Sequence, residues 1–180
     1  MTDQAPIVVR VEQHGTPSGL ANRLAPLCRL VSRGQAPPEA VNQGRGLRHS
    51  IGTLAHAPGL ALNIALFEVA PGRLPFRAEL LERHAASEQL IQPIRAACGW
   101  IALLAPDLGG QPDLQRLVAV HLRSDQGIVY GRGVWHLPIL AIGTEPSLFL
   151  VQSMQAGSPT DTVEKVLKPH LILLDGDVPG

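Results

Sequence analysis

The chain has few of the features that suit a protein to nucleic acid. Its 180 residues include one tyrosine, three phenylalanines and two tryptophans, so side chains on which bases could stack are scarce. Fifteen basic and fifteen acidic side chains leave a formal net charge of zero, which provides no cationic surface for a phosphate backbone. We therefore expect no nucleic-acid partner, and a small molecule or another protein instead.

The chain is also poor in cysteine and in long apolar runs. Cys28 and Cys98 lack the CxxC spacing of metal or redox motifs, which predicts isolated thiols in a reducing compartment. No apolar run is long enough to cross a bilayer, and the first residues lack the basic and apolar regions of a signal peptide. We expect a cytoplasmic protein with no membrane partner.

The length and the turn residues predict one β-rich domain spanning residues 1–180. Sixteen prolines and eighteen glycines divide the chain into short segments. Apolar runs of strand length lie between them, namely Ala61–Val69, Gly99–Ala105, Leu117–Arg123, Gly127–Val129, Val134–Ile142, Ser147–Met154 and Leu171–Leu174. Short strands separated by Gly/Pro turns are typical of a sandwich or barrel.

Helical signals are few. Ser18 is a candidate cap for a short helix ending at Leu27, and Asp161-Thr162-Val163-Glu164 resembles a capping box for a helix that ends before Pro169. The polar, proline-bearing segment Ser32–Gly46 is predicted to be a loop or arm. The sequence thus predicts an all-β domain with one or two short peripheral helices.

Two polar clusters interrupt the apolar runs and form the candidate site. In a strand, Glu82 and His84 project from one face, and Gln89 returns to that face after a short bend. The glycine-bounded segment around Gly133 carries His136. Glu82, His84, Gln89 and His136 together are candidate ligands for a divalent transition metal.

Several alternatives remain open at this cluster. Glu88 competes with Gln89 for the inward position, and the spacing favours Gln89. His84 is equally compatible with a structural histidine, and Glu82 with a surface partner of Arg83 or Arg77.

The two clusters resemble the paired cupin motifs. The first motif has the spacing His-x-His-x4-Glu, which Glu82-x-His84-x4-Gln89 fills here with two changes of residue type. The second ends Gly-x-x-His, here Gly133-Val134-Trp135-His136.

The whole chain resembles the ureidoglycolate lyase family, also called ureidoglycolate hydrolase. The resemblance is collinear over most of the sequence. It rests on Asn42-Gln43-Gly44 with Arg48, on Leu74-Pro75-Phe76, on Leu81-Glu82-Arg83-His84 with Gln89 and Pro93, and on the segment Gln126–Pro138. It implies a cupin double-stranded β-helix (jelly-roll barrel), a homodimer, and the cleavage of ureidoglycolate to glyoxylate and urea in allantoin and purine nitrogen catabolism.

The resemblance also implies roles at the site. A metal (nickel, zinc, manganese or iron) held by His84, Gln89 and His136 would acidify the hydroxyl of a small carboxylate substrate, with Glu82 as a fourth ligand or the base. Tyr130 and His136 are the other candidate catalytic residues, Tyr130 as donor to the leaving nitrogen. The candidate substrate contacts are Arg48 as a carboxylate clamp, Asn42, and Trp135 as a pocket wall. Surface or core roles for Arg48, Tyr130 and Trp135 remain open.

The chain departs from the family pattern at several site positions. Gly131 and Leu137 stand where the family has histidines, and Val129 stands where it has asparagine. Glu68 and Gln152-Ser153 replace an expected arginine and an Asp-Arg pair. These changes favour two alternatives beside the lyase: a related cupin lyase or isomerase acting on another small hydroxy- or keto-acid, and a non-catalytic small-ligand binder.

Overall fold

The computed structural model describes residues 6–13, 20–34, 37–155, 162–167 and 172–177. These residues form strands, one short α-helix and a single 3₁₀ turn. In chain order the elements are β1 (Ile7–Gln13), α1 (Leu20–Leu24), β2 (Cys28–Val31), β3 (Glu39–Val41), β4 (Gly46–Arg48), β5 (Ala61–Val69), β6 (Phe76–Ala78), β7 (Leu80–His84), β8 (Gln89–Arg95), β9 (Trp100–Ala105), β10 (Asp107–Leu108), β11 (Gln111–Pro112), the 3₁₀ turn (Leu114–Arg116), β12 (Val118–Leu122), β13 (Gly127–Tyr130), β14 (Trp135–His136), β15 (Leu140–Ala141), β16 (Ser147–Gln155), β17 (Thr162–Val166) and β18 (Ile172–Asp175).

Two sheets face each other across a common core. The large sheet has the order β17-β7-β14-β9-β12-β1-β18-β6, with β15 also paired to β9, and the five-stranded sheet has the order β2-β13-β8-β16-β5. Two hairpins, β3–β4 and β10–β11, pair only within themselves among the described residues. The prediction of an all-β, cupin-type barrel with one or two short helices is confirmed.

The barrel interior is closed by large apolar side chains from both sheets. This core includes Trp100, Leu104, Tyr130, Phe149 and Val151. Burying each of the larger side chains stabilises the fold by roughly 1.5–3 kcal/mol, so the interior accounts for much of the driving force for closing the two sheets on each other.

A second core lies on the other side of the large sheet. It includes Leu81, Leu103, Trp135 and Leu137, which alternate along their strands with residues of the barrel interior. Because β9 is covered on both faces, its sequence is apolar throughout, and all six of its residues are buried. The large sheet is therefore fixed rigidly between two cores.

The strand predictions agree with the structure except where long-range pairing or proline intervenes. Ala61–Val69 is a strand over the whole predicted range. The predicted run Val134–Ile142 is wrong as one strand: it divides into β14 and β15, because Pro138 has no N–H to donate to a ladder.

Two further predictions are wrong. The predicted helix from Asp161 is the strand β17 over its described part, since the β-branched Thr162, Val163 and Val166 pair with β7. The predicted loop Ser32–Gly46 contains β3 and the start of β4, which form a hairpin. The short helix predicted up to Leu27 is confirmed as Leu20–Leu24, and its predicted cap Ser18 lies outside the described residues. No described helix has the length and apolar character needed to cross a membrane.

Candidate active site

Strand β7 directs two of the predicted site residues into the barrel. Its residues alternate, so Leu81 packs in the second core while Glu82 and His84 face the interior. Arg83 faces the other way, where its Nη1 donates to Asp107 Oδ1 at 2.7 Å and its guanidinium lies 4.9 Å from the Trp135 ring centroid. Glu82 and His84 therefore lie on one face of β7 and Arg83 on the other, as predicted.

Strand β14 brings His136 directly opposite Glu82. The two residues are register partners on antiparallel strands, and His136 Nε2 lies 3.4 Å from Glu82 Oε1. His136 Nδ1 donates to the Val134 carbonyl at 3.0 Å, which orients the ring so that Nε2 faces the interior. The turn before β14 is fixed by Gly133, which has φ = 72° and donates its N–H to the His84 carbonyl at 2.8 Å.

Glu82, His84 and His136 form a compact cluster. One ligand atom from each lies within 4.8 Å of the others. The His84 and His136 rings are 5.6 Å apart between centroids, and the Thr162 hydroxyl lies 3.4 Å from His84 Nδ1. A partner on Nδ1 of each imidazole orients its Nε2 in the manner usual for metal-binding histidines.

The facing wall of the site is built by Tyr130 and Gln89. These two are register partners on β13 and β8, and the Tyr130 ring stacks on His136 with centroids 4.1 Å apart. Gln89 is 7% exposed and Tyr130 is 1% exposed. Within the described part of the chain, the buried Gln89 Oε1, Tyr130 Oη and His136 Nε2 atoms have no hydrogen-bond partner. Buried polar atoms in this state are costly unless a ligand satisfies them.

The two acid groups of the site differ in protonation. Burial raises the pKa of Glu82, but its interaction with the His136 imidazole and the charges of His136 and His84 outweigh this, so the pKa lies below its usual value. Burial raises the pKa of the Tyr130 phenol well above its usual value, and Cys28 and Glu82 add to the effect. Glu82 is therefore an ionised acceptor at neutral pH, while Tyr130 keeps its proton.

The donor set fits a divalent transition metal. Two imidazoles, a carboxylate and an amide oxygen are ligands that zinc, nickel, manganese and iron accept. The buried Oε1 of Gln89 has no hydrogen-bond partner among the described residues, and Nε2 of His136 has only the Glu82 carboxylate nearby, at 3.4 Å, which leaves both atoms able to bind an ion. The residues present could thus hold a divalent transition metal.

Glu88, the alternative to Gln89, has a different task. Its carboxylate accepts from Arg29 Nη1 and Nη2 at 2.7 and 2.9 Å, and from the Ala55 N–H at 2.8 Å. Burial raises the pKa of Glu88, but these donors outweigh it and hold the pKa below its usual value. Glu88 therefore anchors the segment around Ala55 to the end of the barrel.

The predicted substrate contacts lie in other surroundings. Arg48 and Asn42 are on the β3–β4 hairpin, where Asn42 occupies the turn with φ = 53° and exposed Arg48 pairs with Glu39. Trp135 lies in the second core, and its indole N–H donates to Asp107 at 2.8 Å. It therefore faces away from His136, its neighbour in β14.

Two residues of β17 were missed by the sequence reasoning. Thr162 contacts His84, and Glu164 is the register partner of Glu82. The signal was the β-branched content of this segment (Thr162, Val163 and Val166), which suits a strand as well as a capping box.

The family profile for ureidoglycolate lyase matches residues 20–174. The chain belongs to the ureidoglycolate lyase family. It is similar to "Ureidoglycolate lyase 1" of Rhizobium meliloti (strain 1021), with 28% identity over 136 residues, 74% of this chain and 78% of that protein. It is similar to the ureidoglycolate lyase of Rhizobium etli (strain CFN 42), with 31% identity over 71% of this chain and 75% of the relative. The Saccharomyces cerevisiae ureidoglycolate lyase is 31% identical over 56% of this chain and 52% of its own length.

Two solved structures are similar to this member of the ureidoglycolate lyase family. A dTDP sugar isomerase from Desulfovibrio desulfuricans G20 matches with a TM-score of 0.45 and 18% identity, over 79% of this chain and 83% of that one. A dTDP-4-dehydrorhamnose 3,5-epimerase from Elizabethkingia anophelis NUHP1 matches with a TM-score of 0.42 and 15% identity, over 78% and 80%.

The departures from the ureidoglycolate lyase pattern occupy distinct places in the fold. Gly131 lies against β2: a Cβ there would be 3.0 Å from the Leu27 carbonyl oxygen. Leu137 packs in the second core. Ser153 is buried and lies on the same face of β16 as Phe149 and Val151 of the barrel interior, so its side chain points toward the site. Of these three departures, Ser153 is the one whose side chain shares the interior with Tyr130 and Gln89.

Proposed function

We propose that this chain cleaves ureidoglycolate to glyoxylate and urea, as in allantoin and purine nitrogen catabolism. The observation that carries the proposal is the cluster of Glu82, His84 and His136, with ligand atoms within 4.8 Å, in a chain that the ureidoglycolate lyase profile matches. A cytoplasmic location stays a prediction from the sequence.

The proposed metal ligands are His84, Gln89 and His136, with Glu82 beside them. A divalent transition metal (nickel, zinc, manganese or iron) bound there supplies Lewis-acid polarisation of the substrate's hydroxyl and carboxylate oxygens. The support is that Gln89 Oε1 is buried without a hydrogen-bond partner among the described residues, and that ligand atoms of Glu82, His84 and His136 lie within 4.8 Å of one another.

The protein groups supply the proton movements of the elimination. The substrate hydroxyl must lose a proton and the departing ureido nitrogen must gain one. Glu82 is the acceptor, because its lowered pKa keeps it ionised. Tyr130 is the donor, because its raised pKa keeps it protonated and its Oη is committed to no described group.

Arg48 remains the proposed carboxylate clamp and Asn42 a further substrate contact. Arg48 is exposed and pairs with Glu39, so clamping a carboxylate requires it to exchange that partner. Exposed pairs of this kind contribute only about 0–1 kcal/mol, so the exchange has a small cost. Trp135 would act on the pocket only through the strand it shares with His136.

The proposal is tested by incubating purified, metal-supplemented protein with ureidoglycolate. We expect release of glyoxylate above the spontaneous rate, with a turnover on the order of 1–1000 per second as in other enzymes. Glyoxylate would be measured by reduction with a coupled dehydrogenase, with heat-denatured protein as the blank. Release no faster than the blank would reject the lyase activity.

A second candidate is a related cupin lyase or isomerase acting on another small hydroxy- or keto-acid. The observation that favours it is Ser153, which places a small neutral group in the interior at a position where the family pattern has an arginine. It would be supported by turnover of another such acid in place of ureidoglycolate.

We also propose a homodimer formed through β5. This strand pairs with β16 only among the described residues, and its exposed residues Leu62, Ile64 and Leu66 lie on one face. A long apolar edge strand is an aggregation hazard unless another chain covers it. A second copy pairing through the same strand about a two-fold axis would cover both edges.

The variant Ile64→Lys tests this interface. We expect it to weaken the dimer at least about tenfold, because a charge would replace an apolar side chain that the second copy covers. Molar mass by light scattering across a concentration series measures the change. Leu108→Lys, on the exposed β10–β11 hairpin, is the control and should leave the dimer intact. A monomeric native protein would contradict the proposal.

A further inference from the structure

An acidic residue outside the proposed catalytic set faces the site from the edge of the large sheet. Glu164 on β17 is the register partner of Glu82 on β7. Its neighbour two residues away, Thr162, places its hydroxyl 3.4 Å from His84 Nδ1, so this face of β17 is the one that looks toward the site. Glu164 is exposed, and its carboxylate pairs with no described residue.

Two carboxylates opposite each other on neighbouring strands repel unless something between them supplies positive charge or hydrogen-bond donors. Glu82 has His136 and His84 beside it, which lower its pKa. Glu164 has no such neighbour among the described residues. The acceptor at this edge is therefore available to a ligand.

The wall of the site on the five-stranded sheet is neutral and polar. Asn63 on β5 is the register partner of the buried Ser153 on β16, which lies on the same face of its strand as Phe149 and Val151 of the barrel interior. Gln89, 7% exposed, adds a buried side-chain amide. These residues belong to the five-stranded sheet, which faces the large sheet that carries Glu164.

This side of the site thus combines a carboxylate with amide and hydroxyl groups. A carboxylate accepts two parallel N–H bonds from a planar group, and side-chain amides can donate to a carbonyl oxygen. A ureido group offers both N–H donors and a carbonyl oxygen. A substrate carboxylate, by contrast, would be repelled from Glu164.

We infer that Glu164 is a specificity-determining residue that binds the N–H-bearing ureido end of the substrate and so directs the substrate's carboxylate away from β17. This rests on the proposed function for the identity of the substrate, but it concerns binding and can be tested without turnover. The recognised class is a small molecule with a planar, N–H-donating end group.

Two stable probes separate the ends of the substrate. N-carbamoylglycine keeps the ureido group and the carboxylate but lacks the reactive hydroxyl, whereas glycolate keeps the hydroxyl and carboxylate without the ureido group. Calorimetric titrations would use metal-loaded native protein, Glu164→Gln and the control Glu145→Gln, which removes the same charge from an exposed turn. We expect Glu164→Gln to weaken N-carbamoylglycine about tenfold or more and to change glycolate by less than about twofold.

In the turnover assay Glu164→Gln should raise KM for ureidoglycolate by a similar factor and change kcat little. Glu145→Gln should match the native protein in every measurement. Equal weakening of both probes, no weakening of either, no binding of N-carbamoylglycine to the native protein, or loss of metal from Glu164→Gln would each overturn the assignment. A native protein that binds N-carbamoylglycine through Glu164 but releases no glyoxylate would support this inference while rejecting the lyase activity.

Discussion

Replacing His84 or His136 by alanine is expected to remove the bound metal and at least about 100-fold of the glyoxylate-forming activity. Changing even the groups that orient a ligand typically costs 10- to 100-fold in metal affinity or activity, so loss of a ligand should cost no less. Each imidazole is a member of the cluster in which one ligand atom per residue lies within 4.8 Å of the others. Metal content by mass spectrometry of protein prepared without chelator, and steady-state glyoxylate release, measure the two effects.

His56→Ala is the matched control for these variants. His56 is exposed, and its Nδ1 contacts only the neighbouring Ala57 carbonyl, at 2.9 Å. It should keep the metal content and activity of the native protein. Equal metal content in the native protein, His84→Ala and His136→Ala would remove both residues from the ligand set. Circular dichroism would confirm that the alanine variants keep their sheet content.

The site could be predicted where local strand geometry determines which way a side chain points. Alternation in β7 was sufficient to separate Glu82 and His84 from Arg83, and the glycine before β14 indicated the turn that presents His136. Those rules need only the order of neighbouring residues. The resemblance to a family supplied the remaining step, that the two segments lie side by side.

The parts that failed depend on partners far along the chain. The segment after Asp161 has a capping-box pattern. Its β-branched residues nevertheless form a strand, because they pair with β7, which lies far earlier in the sequence. Trp135 follows the same logic: a strand that is covered on both faces gives no sign in its sequence of which core each side chain enters. Register across distant strands is set by tertiary packing.

The chemistry was harder to predict than the placement. Burial of Glu82 alone would have raised its pKa, as expected of a buried catalytic carboxylate. The structure adds His136 at 3.4 Å, and the balance reverses, so the pKa falls. A local sequence pattern cannot give the sign of such a balance, because it depends on the distance between two strands.

Glu82→Gln is expected to lower kcat for ureidoglycolate by about 100- to 10,000-fold while the protein keeps its metal. A general base contributes a factor of this size, and glutamine keeps the shape of glutamate without the ability to take up a proton. Stopped assays of glyoxylate release give kcat. Metal analysis of the same preparation shows whether Glu82 acts as the base or as a metal ligand. Activity within about twofold of the native value would exclude Glu82 as the base.

The metal content of Glu82→Gln decides between the two roles that its position allows. Its Oε1 lies 3.4 Å from His136 Nε2. At this position the carboxylate could bind the metal together with His136, or it could accept the proton of a substrate hydroxyl next to the metal. Full metal content with lost turnover assigns the proton transfer to Glu82, since His84, Gln89 and His136 then suffice to hold the ion. Loss of metal together with turnover would make Glu82 a ligand, and the search for the base would move to the other ionisable side chain of that face, Glu164.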